Sequence, residues 1–301
     1  MDEFALFRNI TIIFATLMLF KYVLFMLIAP FYPVKELLRR KKLLKEQESW
    51  PKYAPLVSVV IPAWNEAVGI IKSVSSAMAN TYDNIEVIVV NDGSTDETEN
   101  RVMEYIKKHK DRFTKTKYVS YYYKANSGKG ATLNYGIRKA KGDIILTMDA
   151  DSALAKNAIT NLIEYFKDNS ISGVVGNVKI GENYTFIGLM QRLEYLFGFY
   201  FKRTHSVVGS EYIFGGACAA FRASVFKDIG EYDEVNKTED IEMTMRLKAH
   251  GLKSAYAEDV ICFTEGAGNL SGLINQRLRW KKGRLDTFMR YRSLFFSTNK
   301  N

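Results

Sequence analysis

A chain of 301 residues can hold one large or two small domains with a full core, and its 25% charged and 47% apolar residues are those of an ordinary globular protein, with no low-complexity tract. Two cysteines in apolar settings (GGACAAF and DVICFTE) resemble small core residues in a reducing compartment more than a disulfide framework, and three scattered histidines, His109, His205 and His250, show no zinc-ligand spacing. A formal net charge of +9 asks for an anionic partner, without choosing among nucleic acid, acidic lipid and nucleotide phosphate.

In chain order, the first predicted element is a helix over ITIIFATLMLFKYVLFMLIA, residues 10–29, long enough to cross a bilayer. Lys21 interrupts it, at a cost unless it snorkels or faces a protein or water-filled interior. The acidic start MDEF and the lack of a small-residue cleavage site argue against a signal peptide, and a buried core helix is the other reading. The lysines and arginines of KELLRRKKLLKEQ, residues 35–47, put that side in the cytoplasm by the positive-inside rule. Leu37, Leu38 and Leu44 fall near one helical face, which suits a helix lying on anionic headgroups. The predicted order is a transmembrane anchor over 1–34, a basic juxtamembrane segment over 35–55 and a globular domain over 56–291.

From residue 56 short β-branched runs alternate with helical stretches. VSVVIPA, IEVIVVND, YVSYYY and DIILTMDA read as strands, and EAVGIIKSVSSAMAN, TDETENRVMEYIKKHK and GKGATLNYGIRKAKG as the helices between them. That alternation predicts an α/β fold, with a parallel sheet covered on both faces and ligands at the carboxyl ends of the strands, where PAWNE, NDGSTD and DADS fall. Further on come a strand at ISGVVGNVKI, a helix from Phe186 to about His205 and a strand near IFGGACAAF. A helix over TEDIEMTMRLKAHG, a strand at SAYAEDVICF and a last helix through INQRLRWKKGRLDTFMRY complete the pattern. No GxGxxG follows the first strand. NSGKGA fails as a P-loop, because the upstream glycine is absent and Ala131 stands two residues after Lys129.

Several residues are candidates for chemistry. In NDGSTD, Asp92 could accept from a nucleobase imide N–H while Gly93 permits a tight turn; the competing reading is a turn plus a helix cap by Ser94, Thr95 or Asp96. Lys129 at a helix N-terminus suits a pyrophosphate, or is a solvent lysine. Asp149 and Asp151 point the same way if the extended strand persists, and they supply hard oxygen ligands for Mg2+ or Mn2+ bridged to a diphosphate. Glu239 and Asp240 begin a helix, where they cap it or, for Asp240, take a proton from an attacking hydroxyl. Gln276, Arg279 and Trp280 share one helix face, either for packing or to meet hydroxyls, phosphate and a sugar ring.

In this order and spacing VSVVIPAWNE, NDGSTD, NSGKGATLNYGI, DADS, TED and QRLRW resemble the inverting glycosyltransferase family 2, over about residues 56–291. The QxxRW element resembles that of the membrane-bound processive synthases of hyaluronan, chitin, cellulose or poly-N-acetylglucosamine. The resemblance implies a GT-A nucleotide-sugar-binding fold and a cell-membrane hexosyltransferase with a cytoplasmic catalytic domain. It implies a UDP-sugar donor, a glycan acceptor, Mg2+ or Mn2+, and no nucleic-acid partner. It also implies that Ala63, Glu66, Asp92, Lys129 and Asp149 bind the donor, that Asp149 and Asp151 hold the metal, and that Asp240 is the base. Glu239, Gln276, Arg279 and Trp280 then frame acceptor and diphosphate. Asn91 departs from the family, many of whose members have an aspartate there. Processive members continue past QxxRW into transmembrane helices that form an export channel; the expectation here is a tail, 292–301, truncated before such helices, or a channel-forming partner. A non-processive transferase acting on a lipid-linked acceptor, and a catalytically silent scaffold binding nucleotide sugar or acidic lipid, are the rival readings.

Overall fold

Valine and isoleucine fill β1 (Val57–Ala63) and β2 (Ile85–Asp92), which are buried along nearly their whole length, the pattern of parallel strands covered on both faces. The computed structural model describes residues 3–46, 54–210 and 216–295. The end of the basic segment predicted over 35–55, the start of the strand predicted at IFGGACAAF and most of the 292–301 tail lie outside the described residues.

The elements follow in the order α1 (Glu3–Ile28), α2 (Tyr32–Glu46), β1, α3 (Ile70–Met78), β2, α4 (Thr98–His109), β3 (Lys117–Lys124), α5 (Lys129–Lys139), β4 (Ile144–Thr147), β5 (Ala153–Leu154) and α6 (Ala158–Phe166). Then come β6 (Ile171–Ile180), α7 (Phe186–Val207), β7 (Ala219–Arg222), α8 (Ala223–Asp228), α9 (Glu239–Ala249), β8 (Lys253–Thr264) and α10 (Leu270–Arg290). One eight-stranded sheet runs β3-β2-β1-β4-β7-β6-β8-β5. Its first four strands are parallel, as the alternation predicts; β7 runs against both β4 and β6, and β5 against β8, so the sheet is mixed. Side-chain alternation sorts the core into two layers. Val57, Val59 and Ile61 pack with Ile70 and Val74 of α3, Val102 of α4 and Ile159 and Phe166 of α6. Val60 faces the other way, with Leu133 of α5, Phe226 of α8 and Met243 and Leu247 of α9.

α1 is long and apolar enough to cross a membrane, and its apolar window is only 6% buried, so it is not the core helix of the alternative reading. The chain past it is anchored to the globular part. Tyr32 is buried at 3% exposure, and its hydroxyl donates to the Tyr256 carbonyl at 2.9 Å. Lys35 donates to the Ser206 carbonyl, Arg40 pairs with Asp259 at 2.8 Å, and Arg39 lies over the Tyr165 ring at 3.9 Å. α2 thus spends part of its positive charge on the protein itself, while Leu37, Leu38 and Leu44 stay exposed.

One expectation about the site needs correction. The strand predicted over DIILTMDA stops at Thr147, so the run does not stay extended to Asp149 and Asp151. β7 pairs with β4 only up to Thr147 opposite Ala219, and the chain before Ala219 is a short 3-10 turn, Gly216–Cys218, that offers no ladder. The two aspartates are brought together by a turn, closed by the Ser152 N–H donating to the Asp149 carbonyl at 3.1 Å.

Candidate active site

The carboxyl ends of β1 and β2 are bound to each other through side chains. Asn65 adopts a left-handed conformation (φ 56°), its side-chain oxygen accepts from Thr95 N–H at 2.8 Å, and its own N–H donates to Ser94. Glu66 N–H donates to the Thr98 hydroxyl at 2.8 Å and Ala67 N–H to Asp96 at 3.0 Å. NDGSTD is therefore a turn fastened to the β1 loop, and Ala63 closes β1 beside it. Asp92 is buried, and one oxygen accepts from Lys124 at 2.6 Å and Ser127 N–H at 2.9 Å, the other from Gly128 N–H at 2.9 Å. Burial opposes its charge, but Lys124 and these backbone donors outweigh it and hold its carboxyl below the usual range. The Thr132 hydroxyl adds to the same stabilisation of the charge. Gly93 (φ +70°) must be glycine, since a Cβ there would meet the Asn126 nitrogen at 2.9 Å.

Lys129 opens α5 and reaches across to the other half of the sheet. Its ammonium pairs with Asp149 at 2.6 Å and with Glu239 at 3.4 Å. Burial disfavours that charge, yet Asp149, Glu239 and Asp240 outweigh it and keep the lysine charged. Asp151 accepts from Ser152 and Thr264 hydroxyls at 3.1 and 3.2 Å. Burial, then the Asp149 charge, push its carboxyl up. Burial likewise raises Glu66 to about 7, with Asp151 and Asp149 adding to it. Asp240, at the start of α9, accepts from Gly216 N–H and from its neighbour Ile241 N–H, both at 2.9 Å. Burial and then Glu239 raise Asp240 to about 6. The turn carrying the aspartates is seated on α3, where the Ser73 hydroxyl donates to the Ala150 carbonyl at 2.6 Å and a Cβ on Gly69 would meet that same oxygen at 3.0 Å.

A cavity of about 600 Å³ joins these groups to α10. Lys129, Asp149, Asp151, Glu239, Asp240, Gln276, Arg279 and Trp280 all line it, and its far end reaches Tyr22 and Phe25 of α1. Ala63, Glu66 and Asp92 are not among its lining residues; Ala63 and Asp92 are the last residues of β1 and β2, and Glu66 lies on the loop after β1. Arg277, which sequence reasoning passed over inside QRLRW, lies over the Trp280 ring at 4.2 Å, donates to the Gln276 side-chain oxygen at 2.8 Å and pairs with Glu194 of α7 at 2.5 Å. Lys124 and Thr264 were also missed. Each lies one residue past a predicted strand; Lys124 stands opposite Asp92 across the sheet, and Thr264 reaches Asp151 through its hydroxyl.

The residues present suit a divalent cation bound together with a substrate. Asp149 and Asp151 offer hard oxygens whose mutual repulsion a cation would relieve. Among the described residues no group of three or more His, Cys, Asp or Glu is arranged to enclose a metal alone. That is the donor set of Mg2+ or Mn2+, which commonly take one or two carboxylates plus substrate phosphates.

The sequence profile described as Glycosyl transferase family 2 matches residues 58–230, more than half the chain. The chain belongs to glycosyl transferase family 2. It is 30% identical over 247 residues to the poly-beta-1,6-N-acetyl-D-glucosamine synthase of Staphylococcus epidermidis, and 31% identical over 247 residues to that of Staphylococcus aureus strain COL. Each alignment covers 81% of this chain and 57% of the relative, so the chain spans little more than half the length of these synthases. Among solved structures it resembles the mannosyltransferase PcManGT of Pyrobaculum calidifontis in complex with GDP-Man and Mn2+ (TM-score 0.65, 22% identity, 89% of this chain and 74% of that one). It also resembles S. aureus TarS 1-349 in complex with UDP-GlcNAc (TM-score 0.52, 15% identity, 81% and 74%). The fold is accordingly GT-A. The profile ends before TED and QRLRW, which the structure joins to DADS through the shared cavity.

Proposed function

We propose that the chain is a membrane-anchored, inverting β-glycosyltransferase that moves N-acetylglucosamine from a UDP-linked donor to a glycan acceptor, as part of polysaccharide synthesis. One observation carries the reading: Lys129, the DADS carboxylates, Asp240 and Trp280, scattered along the sequence, meet in one cavity. The names of the synthase relatives support the sugar, and the exposed apolar α1 followed by a basic α2 supports an anchor with the domain on the cytoplasmic side.

Asp92, Glu66 and Ala63 would border the nucleoside, and Lys129 the diphosphate. A divalent cation held by Asp149 and Asp151 would supply charge for the leaving diphosphate. Asp240, about 6 in pKa and so mainly ionised at pH 7, takes the proton of the acceptor hydroxyl. That oxygen bonds to the anomeric carbon on the face opposite the diphosphate, the carbon–diphosphate bond breaks, and UDP departs with the electron pair. Trp280 offers an apolar platform for the acceptor ring, while Gln276 and Arg279 offer donors for its hydroxyls and the diphosphate.

A lipid-linked acceptor receiving a single sugar is the second reading, favoured by the reach of the cavity to α1. The test is incubation of the purified chain with a panel of UDP-sugars and Mn2+, with products read by mass. Transfer of N-acetylglucosamine is expected, and product length separates polymer synthesis from single addition. Donor binding without any turnover would instead mean a nucleotide-sugar scaffold.

A further inference from the structure

The end of the cavity at α1 is chemically distinct. It lies in the seam between α1 and α7, lined by Lys21, Tyr22 and Phe25 on one side and Phe201, Lys202 and His205 on the other. The seam is packed. Tyr22 and Phe201 rings stand 5.5 Å apart, Phe25 meets His205 edge-on at 5.0 Å, and the Thr204 hydroxyl donates to the Phe25 carbonyl at 2.8 Å. At about 1.5 Å per residue, Lys21 lies about 10 Å inside the Ile28 end of α1. A lysine at that depth is costly against lipid unless it faces a polar cavity or an anion.

Two positive charges line this end of the cavity, and Asp240 acts on Lys202 through its charge without an ion pair between them. Among the described residues neither Lys21 nor Lys202 makes an ion pair; Lys21 rests over the Tyr22 and Phe25 rings at 5.8 and 5.4 Å, and Lys202 over Phe199 at 4.3 Å. We propose that this seam holds the phosphate group of a membrane lipid between the Lys21 and Lys202 ammonium groups. The inference rests on the reading of α1 as a membrane span. An anion reaching Lys21 then approaches along an apolar helix that exposes Leu17, Phe20 and Leu24, so an apolar tail suits the path and a free ion does not. Local charge agrees with that assignment. Burial, then Lys21 and Lys202, depress His205 to about 4, so the imidazole is neutral at pH 7 and the field at the seam is positive. Burial also lowers Lys202, to about 8, and outweighs the opposing charge of Asp240.

The experiment measures lipid retention by native mass spectrometry on the full chain, delipidated in detergent. The probes are farnesyl phosphate, dioleoylphosphatidylglycerol, farnesol and inorganic phosphate. At least one phosphate lipid should bind about tenfold more tightly than both farnesol and inorganic phosphate, and the tighter of the two lipids tells a monoester from a diester source. Lys21→Gln and Lys202→Gln should each weaken that binding about tenfold while UDP binding, measured by calorimetry, stays intact and reports a folded protein. The proposal is overturned if farnesol binds as well as farnesyl phosphate, if inorganic phosphate matches the lipids, or if both variants retain lipid like the parent. Lipid retention is read without turnover, so its failure is distinct from a failure to transfer sugar.

Discussion

Asp240 must be ionised to accept a proton, and its pKa of about 6 places that requirement just below neutrality. Turnover is expected to be full above that value and to fall as pH drops through about 6, in a pH–rate profile at saturating metal. Asp240→Asn keeps the shape and removes the charge; transfer should fall at least about a hundredfold while UDP binding changes little. Near-parental turnover would leave Asp240 with only its bonds to Gly216 and Ile241. Gly93→Ala tests the turn beneath Asp92. The left-handed φ and the approach of Asn126 should cost about 1–3 kcal/mol in chemical denaturation, with weaker UDP binding. Asp92 also shows what one residue's sequence context conceals. NDGSTD marked it as an acceptor, but the lysine that holds it, Lys124, was invisible because only the β2–β3 register sets Asp92 opposite Lys124.

Elements whose periodicity was clear were legible from sequence, and those without it were not. The four parallel strands and α3, α4, α5, α7, α9 and α10 stand where the pattern predicts them, with ends shifted by a few residues. α6 was missed although Thr160, Asn161 and Glu164 give AITNLIEYF a polar face, because nine residues span only about two and a half turns and show the period scarcely more than twice. The antiparallel β7 was hidden for another reason, since strand direction is a property of the pairing and not of the strand. On α10 the structure adds Arg277, which holds Trp280 and Gln276 from one side and Glu194 of α7 from the other. Arg277→Gln should raise the acceptor KM several-fold with kcat less affected and UDP binding unchanged, if the ring it positions is the proposed acceptor platform. An equal loss of UDP affinity would make Arg277 a donor ligand instead. The proposed anchor boundary is also sharpened. An excision through residue 34 would remove Ala29 and Tyr32, both packed in the globular part, whereas removal of residues 1–28 spares them. That shorter excision should release the protein from alkaline-washed membranes, leaving salt-sensitive binding through α2.

At the scale of the molecule, the mixed sheet puts the proposed donor and acceptor sides on opposite sides of β4. β1 and β2 carry the loops of the proposed nucleotide site, while β7, α9 and α10 carry the proposed base and acceptor platform. DADS stands at the junction, seated on α3 and bonded to Thr264 of β8. Loss of the cation should therefore uncouple the two halves. Excess chelator is expected to abolish transfer by the unmodified chain and Mn2+ to restore it, and Asp151→Asn should weaken metal-dependent donor binding. Full turnover in chelator would make DADS a structural turn.

Lys129 facing Asp149, Asp151, Glu239 and Asp240 also bears on a sequence in time. At that end of the cavity carboxylates outnumber ammonium groups, while Lys237, Arg279 and Arg284 line other parts of the wall. Under the proposed function a nucleotide sugar would therefore approach the carboxylates best when already neutralised, as its one-to-one complex with the cation. Rates should follow the concentration of that complex, and uncomplexed donor added in excess should neither raise the rate nor compete.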